Sequence, residues 1–290
     1  MRAFSLPFKP LTLFAVAGAA CGAFAWHDSG HMAVAMIAYE GLTPQVKARV
    51  DALLSVGALP RSADFVTAAC WADDAKSDKD REWHYINYFM DADLNPLDRK
   101  PEPDANAVWA VLTQSEVMVD PQRPQSERAN ALRYLLHLVG DLHQPLHATA
   151  RISEQTPGGD RGGNDYRILP PPGWDPAPRS LHFLWDMAGM LYPYYDRPLS
   201  AVDRKAFQQR VEQTRKRYPE SAFGASTDVL DPEAWAKESF ELARKEVYNT
   251  PFQAVPSKTY LDSVRNVSER QIALAGYRLA RLLNQRLKLD

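Results

Sequence analysis

The sequence has little cysteine, no excess of positive charge and no apolar run long enough to cross a membrane. Its 290 residues include only two cysteines, Cys21 and Cys70, and the formal net charge is −2. Bulk positive charge that would attract duplex nucleic acid is therefore absent, and any contact with a nucleic acid must be local. A disulfide framework is excluded if Cys21 is removed with a leader, because one thiol cannot pair within the chain.

The first 25 residues have the pattern of an export signal. Arg2 and Lys9 precede an apolar stretch, and small residues at positions 23 and 25 form a cleavage signature. The apolar stretch is too short for a membrane span. We predict a signal peptide over 1–25, cleavage before Trp26, and a secreted or periplasmic mature domain over 26–290 without a membrane anchor. A lipoprotein acylated at Cys21 is the alternative, although Gly18 stands where a larger aliphatic residue is usual.

Helical periodicity dominates the rest of the chain. Thr43 and Pro44 suit the N-cap and first position of a helix. The long segment 151–180 is irregular and rich in proline, and we expect a short hairpin within it at 166–169. The prediction is therefore one mainly α domain with a long functional loop. The predicted helices cover 31–42, 43–54, 105–119, 127–144, 202–217, 231–247 and 257–287.

The histidines are confined to the first two thirds of the chain. All seven lie before residue 183, and several have acidic residues nearby. His137 and Asp141, like His182 and Asp186, are spaced i, i+4, which places an imidazole and a carboxylate on one helical face. A single pair of this kind is more often a surface hydrogen bond than a metal site. The stretch HLVGDLHQPLH is different, because a core helix gains nothing from burying three unpartnered imidazoles.

This stretch also predicts that its ligands serve different ions. Pro145 disfavours helix at the preceding residue, so the helix should end near Gln144. His147 would then leave the face that carries His137 and Asp141. Zinc accepts such nitrogen and oxygen ligands. A free α-amine at Trp26, five residues before His31, would be a further donor near neutral pH.

A family resemblance emerges from the order of six motifs. WHDSGH, WAD, WHYI, HLVGDLHQPLH, GGN and LHFLWD follow one another between Trp26 and the segment at 276–285. In these motifs the chain resembles the zinc-dependent, single-strand-specific nucleases of fungi, plants and bacteria. The resemblance implies a mainly α, single-domain, multi-helix fold of the tri-zinc nuclease and phospholipase C type, with three zinc ions at the bottom of a cleft.

The resemblance also implies a ligand set for each zinc ion. The first would take Asp73, His84, His137 and Asp141. The second would take the amine and carbonyl of Trp26 together with His31 and Asp141, so that Asp141 bridges the pair. The third would take His147, His182 and Asp186. His27 and His143 remain as non-ligands, and His143 would support the site from outside.

The implied activity is hydrolysis of single-stranded DNA and RNA by a hydroxide that bridges the paired zinc ions. The products would carry 5′-phosphates, and a 3′-nucleotidase activity would accompany the endonuclease. Asp73 and Asp141 would act through the ions, and Lys76 would stabilise charge on the phosphate. Its alternative role is that of an ordinary surface lysine. The substrate-binding residues would be Tyr85, Asn87, Gly163 and Asn164.

The chain departs from the fungal pattern at two points. Asn87 replaces an aspartate that binds the base, and an amide donates hydrogen bonds as well as accepting them, so base preference does not carry over. The fungal disulfides are missing, which places more of the stability on zinc.

Two other functions fit parts of the pattern. A zinc-dependent phospholipase C-like phosphodiesterase would share the scaffold and the N-terminal tryptophan, but the WAD motif with Lys76 and the GGN motif favour the nuclease. A non-enzymatic, exported zinc-binding protein would not need Lys76 or a base pocket. The expected partners are single-stranded nucleic acids and nucleotides as substrates, and a monomer is expected.

Overall fold

Residues 26–288 are described by a computed structural model, and the predicted signal peptide and Cys21 lie outside this range. The described part of the chain is mainly helical, as predicted. Short 3-10 turns at Pro60–Ser62, Arg81–His84, Pro145–Ala148, Ala188–Met190 and Glu220–Asp228, and a π-helical turn at Ala243–Val247, complete the helical structure. The α-helices are α1 (Asp28–Glu40), α2 (Pro44–Leu54), α3 (Phe65–Ala68), α4 (Trp71–Asp74), α5 (Ala107–Val119), α6 (Gln125–Asp141), α7 (Leu181–Asp186), α8 (Ala201–Arg217), α9 (Pro232–Leu242) and α10 (Lys258–Leu287).

The predicted helices all form, and side-chain caps explain several of their starts. The Thr43 hydroxyl accepts the Val46 N–H at 3.3 Å, with Pro44 at the first helical position, as the sequence indicated. Asn106 caps α5 in the same way, by accepting the Trp109 N–H at 3.1 Å. Each cap satisfies a backbone donor that the first helical turn leaves unpaired.

The core is built around α1, α6 and α10. Every residue of α1 from Ser29 to Ala38 is buried. A Cβ added at Gly276 of α10 would lie 2.6 Å from the Cβ of Ile37, so the missing side chain lets α10 approach α1 closely. The helix that carries the central histidine motif is thus buried in the middle of the domain.

The end of α6 differs from the prediction. We expected helix up to residue 144, whereas α6 ends at Asp141 and a 3-10 turn begins at Pro145. The Gln144 side chain accepts the Leu146 N–H at 2.6 Å and starts this turn. The helix itself ends before this turn, because the N–H groups of His143 and Gln144 donate to the carbonyls of Gly140 and Asp141, three residues back, at 3.0 and 2.9 Å.

The strand that follows this turn belongs to a small parallel sheet. Strand β1 (Tyr88–Met90) pairs with β2 (Thr149–Arg151), with Tyr88 opposite Thr149. The pairing brings the segment after His84 beside the segment after His147. Two distant parts of the sequence that carry ligand motifs are thereby joined.

The segment expected as a long loop or short hairpin near 151–180 is a long loop, and the pairing expected around 166–169 is limited to a single antiparallel bridge. Segment 152–180 is a long loop with no strand, and its one antiparallel bridge joins Arg167 to Ser180. The Leu181 N–H also donates to the Tyr166 carbonyl at 2.9 Å. Residues 166–168 are therefore paired with the residues at the start of α7 rather than with each other across a tight turn.

Two features of residues 26–288 concern membrane spanning and cysteine pairing. None of the helices there has the length and apolar character needed to cross a membrane. Cys70 is a free, buried thiol, and burial raises its pKa well above the ordinary value.

Candidate metal centre

Eight histidine and aspartate side chains from six elements converge at the end of α6. His31 comes from α1, Asp73 from α4, and His84 from the turn at Arg81–His84. The remaining five come from α6 (His137 and Asp141), from the turn at Pro145–Ala148 (His147) and from α7 (His182 and Asp186). These side chains form three groups that could each hold a metal ion: His31, His137 and Asp141; Asp73, His84 and His137; and His147, His182 and Asp186.

Asp141 lies between the first two groups. Its Oδ1 is 3.4 Å from His31 Nε2, and its Oδ2 is 3.1 Å from His84 Nδ1. The two carboxylate oxygens therefore face histidines from different groups. This arrangement is the one that the predicted bridging role of Asp141 requires.

His137 is shared by the same two groups but can ligate only one ion. Its Nδ1 donates to the Ala69 carbonyl at 2.7 Å, so only Nε2 faces the site. That atom lies 3.6 Å from Asp73 Oδ2 and 3.5 Å from Asp141 Oδ2. The His31 ring stacks on the His137 ring with centroids 3.8 Å apart. A backbone carbonyl thus sets the orientation of the ring that both groups contact.

The third group is held from behind in the same manner. His147 Nδ1 donates to the His84 carbonyl, and His182 Nδ1 donates to the Gly162 carbonyl, both at 2.7 Å. Their Nε2 atoms face Asp186, at 3.9 Å from Oδ1 for His147 and 3.3 Å from Oδ2 for His182. The prediction that His147 leaves the His137 face agrees with this separate grouping.

The electrostatics of these residues suit a cation. Burial lowers the pKa of His31 well below the ordinary histidine value, and neighbouring imidazoles add to the effect. Burial raises the pKa of Asp141 well above the ordinary carboxyl value, and Asp73 adds to that shift. The lowered pKa favours the neutral His31 imidazole, which keeps a lone pair, while an ionised carboxylate at the depth of Asp141 requires a positive partner.

Unpartnered buried nitrogens provide a test of whether a metal fits. The Nε2 atoms of His31, His137 and His147 are buried and have no hydrogen-bond partner among residues 26–288. Native proteins seldom leave such groups unsatisfied without a reason. Three sets of nitrogen and oxygen donors with buried lone pairs fit bound metal ions.

Trp26 is packed beside the paired groups. The residue is fully buried. A Cβ at Gly140 would lie 2.8 Å from His31 Nδ1 and 3.7 Å from Trp26 Cδ1, which shows how closely both side chains approach α6. The following His27 N–H donates to the Asp186 carbonyl at 2.8 Å. The start of the described chain is therefore fastened between the paired groups and the third group.

The two histidines predicted as non-ligands belong to none of the three groups. His143 is fully buried; its Nδ1 donates to the Val139 carbonyl at 2.7 Å, and Arg278 lies 3.0 Å from its Nε2. Burial and Arg278 lower the pKa of His143 to about 3. Both ring nitrogens are thus already used within the core.

Lys76 and Tyr85 lie next to the metal groups along the chain. The Lys76 ammonium is 3.3 Å from Asp73 Oδ1, and its side chain is 22% exposed. Tyr85 directly follows His84 and is half-buried, and its carbonyl accepts the Ala107 N–H at 3.0 Å. Asn87 is also half-buried, and its N–H donates to the Glu102 carbonyl at 2.7 Å.

The GGN segment contacts the third group through its backbone. Gly162 has φ +60°, and a Cβ there would lie 2.3 Å from the Leu146 carbonyl oxygen. Gly163 accepts the His182 N–H at 3.2 Å, and the half-buried Asn164 donates its side-chain amide to the Arg161 carbonyl at 2.9 Å. Glycine at 162 is required by both the positive φ and the close approach.

Sequence reasoning missed two residues that support the site. Gln144 Nε2 donates to Asp186 Oδ1 at 2.6 Å. Arg197 donates to Asp28 Oδ2 at 2.8 Å and to both oxygens of Asp74 at 2.8 and 3.0 Å. The motif HQPLH already contains Gln144, so a signal for it existed. Arg197 lies far from its partners in sequence and had no such signal.

The fold and the three buried donor groups define a metal-binding helical domain. The family model described as S1/P1 Nuclease matches residues 26–288. The chain belongs to the S1/P1 nuclease family, and it is a hydrolytic nuclease that acts on nucleic acid.

Three relatives illustrate the similarity. The chain is 26% identical to "Nuclease P1" of Penicillium citrinum over 279 residues, covering 90% of this chain and 97% of the relative. It is 27% identical to "Endonuclease 3" of Arabidopsis thaliana, covering 91% and 90%. It is 24% identical to "Nuclease S1" of Aspergillus oryzae, covering 90% and 91%. The similarity therefore extends over nearly the whole length of each protein.

Proposed function

We propose that this protein is an exported tri-zinc endonuclease that cleaves single-stranded DNA and RNA to products with 5′-phosphates. A 3′-nucleotidase activity would use the same centre. The observation that carries the proposal is the convergence of three buried histidine and aspartate groups around the end of α6. Membership of the nuclease family makes a phosphodiester of nucleic acid the substrate.

Zinc is supported by the chemistry of the donor sets. Each group combines imidazole nitrogens with carboxylate oxygens, and its ligand atoms lie within 4.8 Å of one another. Zinc binds such atoms at about 2.0–2.2 Å, so a small contraction around an ion suffices. When bound, the zinc ions would supply a water of lowered pKa and neutralise charge on the phosphate.

The paired groups would share Asp141 and draw on Trp26. The proposed first ligand set is Asp73, His84, His137 and Asp141. In the second set, His31 and Asp141 would be completed by the amine and carbonyl of Trp26, whose ring is buried beside His31. Cleavage of the signal peptide before Trp26 would create the free amine, and this links export of the chain to assembly of the site.

Lys76 would act on the phosphate. Its ammonium is close to Asp73 yet partly exposed, so it can also contact a bound anion. A cation fixed beside the reacting phosphate stabilises the charge that develops during displacement. The role assigned to Lys76 is therefore electrostatic.

Burial of the metal groups supports a preference for single strands. His31 is 1% exposed and Asp141 is fully buried. A phosphate of a stacked duplex cannot reach such depth, whereas an unpaired nucleotide can place its phosphate at the centre and its base in an adjoining pocket. Tyr85, Asn87, Gly163 and Asn164 are the proposed pocket residues, and the amide of Asn87 can both donate to and accept from a base.

The proposal is tested by metal and product analysis of the mature protein. We expect three zinc ions per chain, rapid cleavage of single-stranded DNA and RNA, slow cleavage of duplex DNA, and 5′-mononucleotides as limit products. A choline phospholipid assayed in parallel should remain intact. Phospholipid cleavage without nucleotide release, or 3′-phosphate products, would contradict the proposed function.

A further inference from the structure

Four aromatic side chains form a row of ring contacts that ends at the surface. Trp71 starts α4, the helix that carries Asp73, and its ring centroid is 5.3 Å from that of Tyr134. The Tyr134 ring is 5.1 Å from Trp83, and the Trp83 ring is 5.6 Å from Trp109. The row therefore begins in the helix that carries Asp73 and ends at Trp109 on α5.

The outer end of this row is unusually exposed. Trp109 is 42% exposed, whereas the other six tryptophans are buried or half-buried. Leu112, three residues further along α5, is 53% exposed and extends the same apolar face. Single exposed apolar residues are common, but an exposed indole packed against a second one offers a rigid flat surface.

The exposed end of the row is tied to the segment that carries residues of the nuclease site. Trp83 directly precedes His84, which groups with Asp73 and His137. The first residue of α5, Ala107, donates its N–H to the carbonyl of Tyr85 at 3.0 Å. Trp109 is thus connected to the segment of His84 and Tyr85 in two ways: through the start of α5 and through its ring contact with Trp83.

We propose that Trp109, supported by Trp83, is an accessory stacking site for a nucleobase of the substrate strand outside the metal centre. The inference rests on the proposed single-strand activity. Aromatic side chains bind unpaired strands by stacking on successive bases, and every base has a face that can stack. The site would therefore favour longer strands without adding sequence preference.

The test compares substrates of increasing length. Trp109→Ala should raise KM for oligodeoxynucleotides of about ten nucleotides by about tenfold, the effect expected for one lost stacking contact, with kcat unchanged. A dinucleotide and a 3′-mononucleotide should be cleaved as by the unsubstituted enzyme. Leu112→Ala is the matched control, because it removes exposed apolar surface from the same face without removing a stacking ring. Trp109→Phe should restore most of the affinity.

Further measurements distinguish a stacking site from a structural role of Trp109 and from a dimer interface. Equal KM values for Trp109→Ala and the unsubstituted enzyme at every length would overturn the inference while leaving the proposed function intact. Loss of activity on the dinucleotide as well would show that Trp109 acts on the fold or the metal centre, which also overturns it. A dimer of the unsubstituted enzyme that Trp109→Ala dissociates, seen by sedimentation, would assign this surface to a second copy instead. Failure of the unsubstituted enzyme to cleave any single strand would refute the proposed function itself.

Discussion

Gln144 donates its side-chain amide to Asp186 at 2.6 Å and accepts the Leu146 N–H at 2.6 Å. The second bond orients the amide, because its oxygen is held by a backbone donor and its nitrogen must face the carboxylate. Gln144 is fully buried. The Gln144 side chain therefore starts the turn that carries His147. It also holds the carboxylate of Asp186, which belongs to the same metal group as His147.

Gln144→Glu is expected to weaken the third metal site selectively. The change keeps the shape of the side chain but replaces the amide N–H that donates to Asp186 with a carboxylate oxygen, which repels it. Loss of such a supporting hydrogen bond typically costs about 10–100-fold in metal affinity. After dialysis against a weak chelator, elemental analysis should find one metal ion fewer per chain.

The control for this variant is Gln114→Glu, which changes a buried glutamine of α5, a helix without a residue in the three metal groups. It should retain its full metal content. Full occupancy in Gln144→Glu, or loss of the paired ions instead, would contradict the role given to Gln144.

Asp141 and His143 are neighbours in sequence with opposite expected importance. Asp141→Ala removes the carboxylate that faces both paired groups, so we expect loss of two metal ions and a decrease in kcat/KM of at least about a hundredfold. His143→Ala removes hydrogen bonds within the core and should cost about 1–3 kcal/mol of unfolding free energy. Its metal content should be unchanged. Metal analysis and urea unfolding of both variants provide the measurement, and equal metal loss in the two would refute the distinction.

The local patterns explain why much of the fold was predictable. Thr43 and Pro44 set the start of α2 through a cap that depends on two adjacent residues. The spacing of His137 and Asp141 places both on one face of α6 whatever the rest of the chain does. Both features are decided within a few residues, which is the range over which sequence patterns are reliable.

The features that escaped prediction depend on contacts between distant segments. The loop at 152–180 is fastened to α7 and to segment 250–254 as well as to itself; the Leu169 N–H, for example, donates to the Ala254 carbonyl at 2.9 Å. Periodicity within the loop could not reveal this. The bridge between Asp28, Asp74 and Arg197 joins three segments that only the tertiary fold brings together.

Extending the mature chain by one residue before Trp26 is expected to reduce activity at least about tenfold. The amine of Trp26 would become an amide nitrogen, which does not ligate zinc, and the ring of Trp26 is fully buried. Assays of single-strand cleavage before and after proteolytic removal of the extra residue give the measurement. Recovery on removal is the expected result, and full activity of the extended protein would exclude the N-terminal ligand.

Arg197 fastens the start of α1 to α4, and its loss is expected to destabilise the domain. Its side chain is 2% exposed, while those of Asp28 and Asp74 are 31% and 32% exposed. Breaking a fully buried ion pair costs about 3–5 kcal/mol, and solvent around the two carboxylates should reduce this to about 2–3 kcal/mol for Arg197→Met. Asp73, which adjoins Asp74, should also bind its metal ion more weakly.

Arg204→Met is the matched control for Arg197→Met. The Arg204 and Asp64 side chains are 40% and 39% exposed, and such pairs contribute about 0–1 kcal/mol. Urea unfolding of the metal-loaded proteins should therefore separate the two variants by about 2 kcal/mol, because only Arg197 leaves carboxylates beside the metal centre without their cation. Equal unfolding free energies and equal metal content for both variants would show that Arg197 does not hold the ligand-bearing segments together.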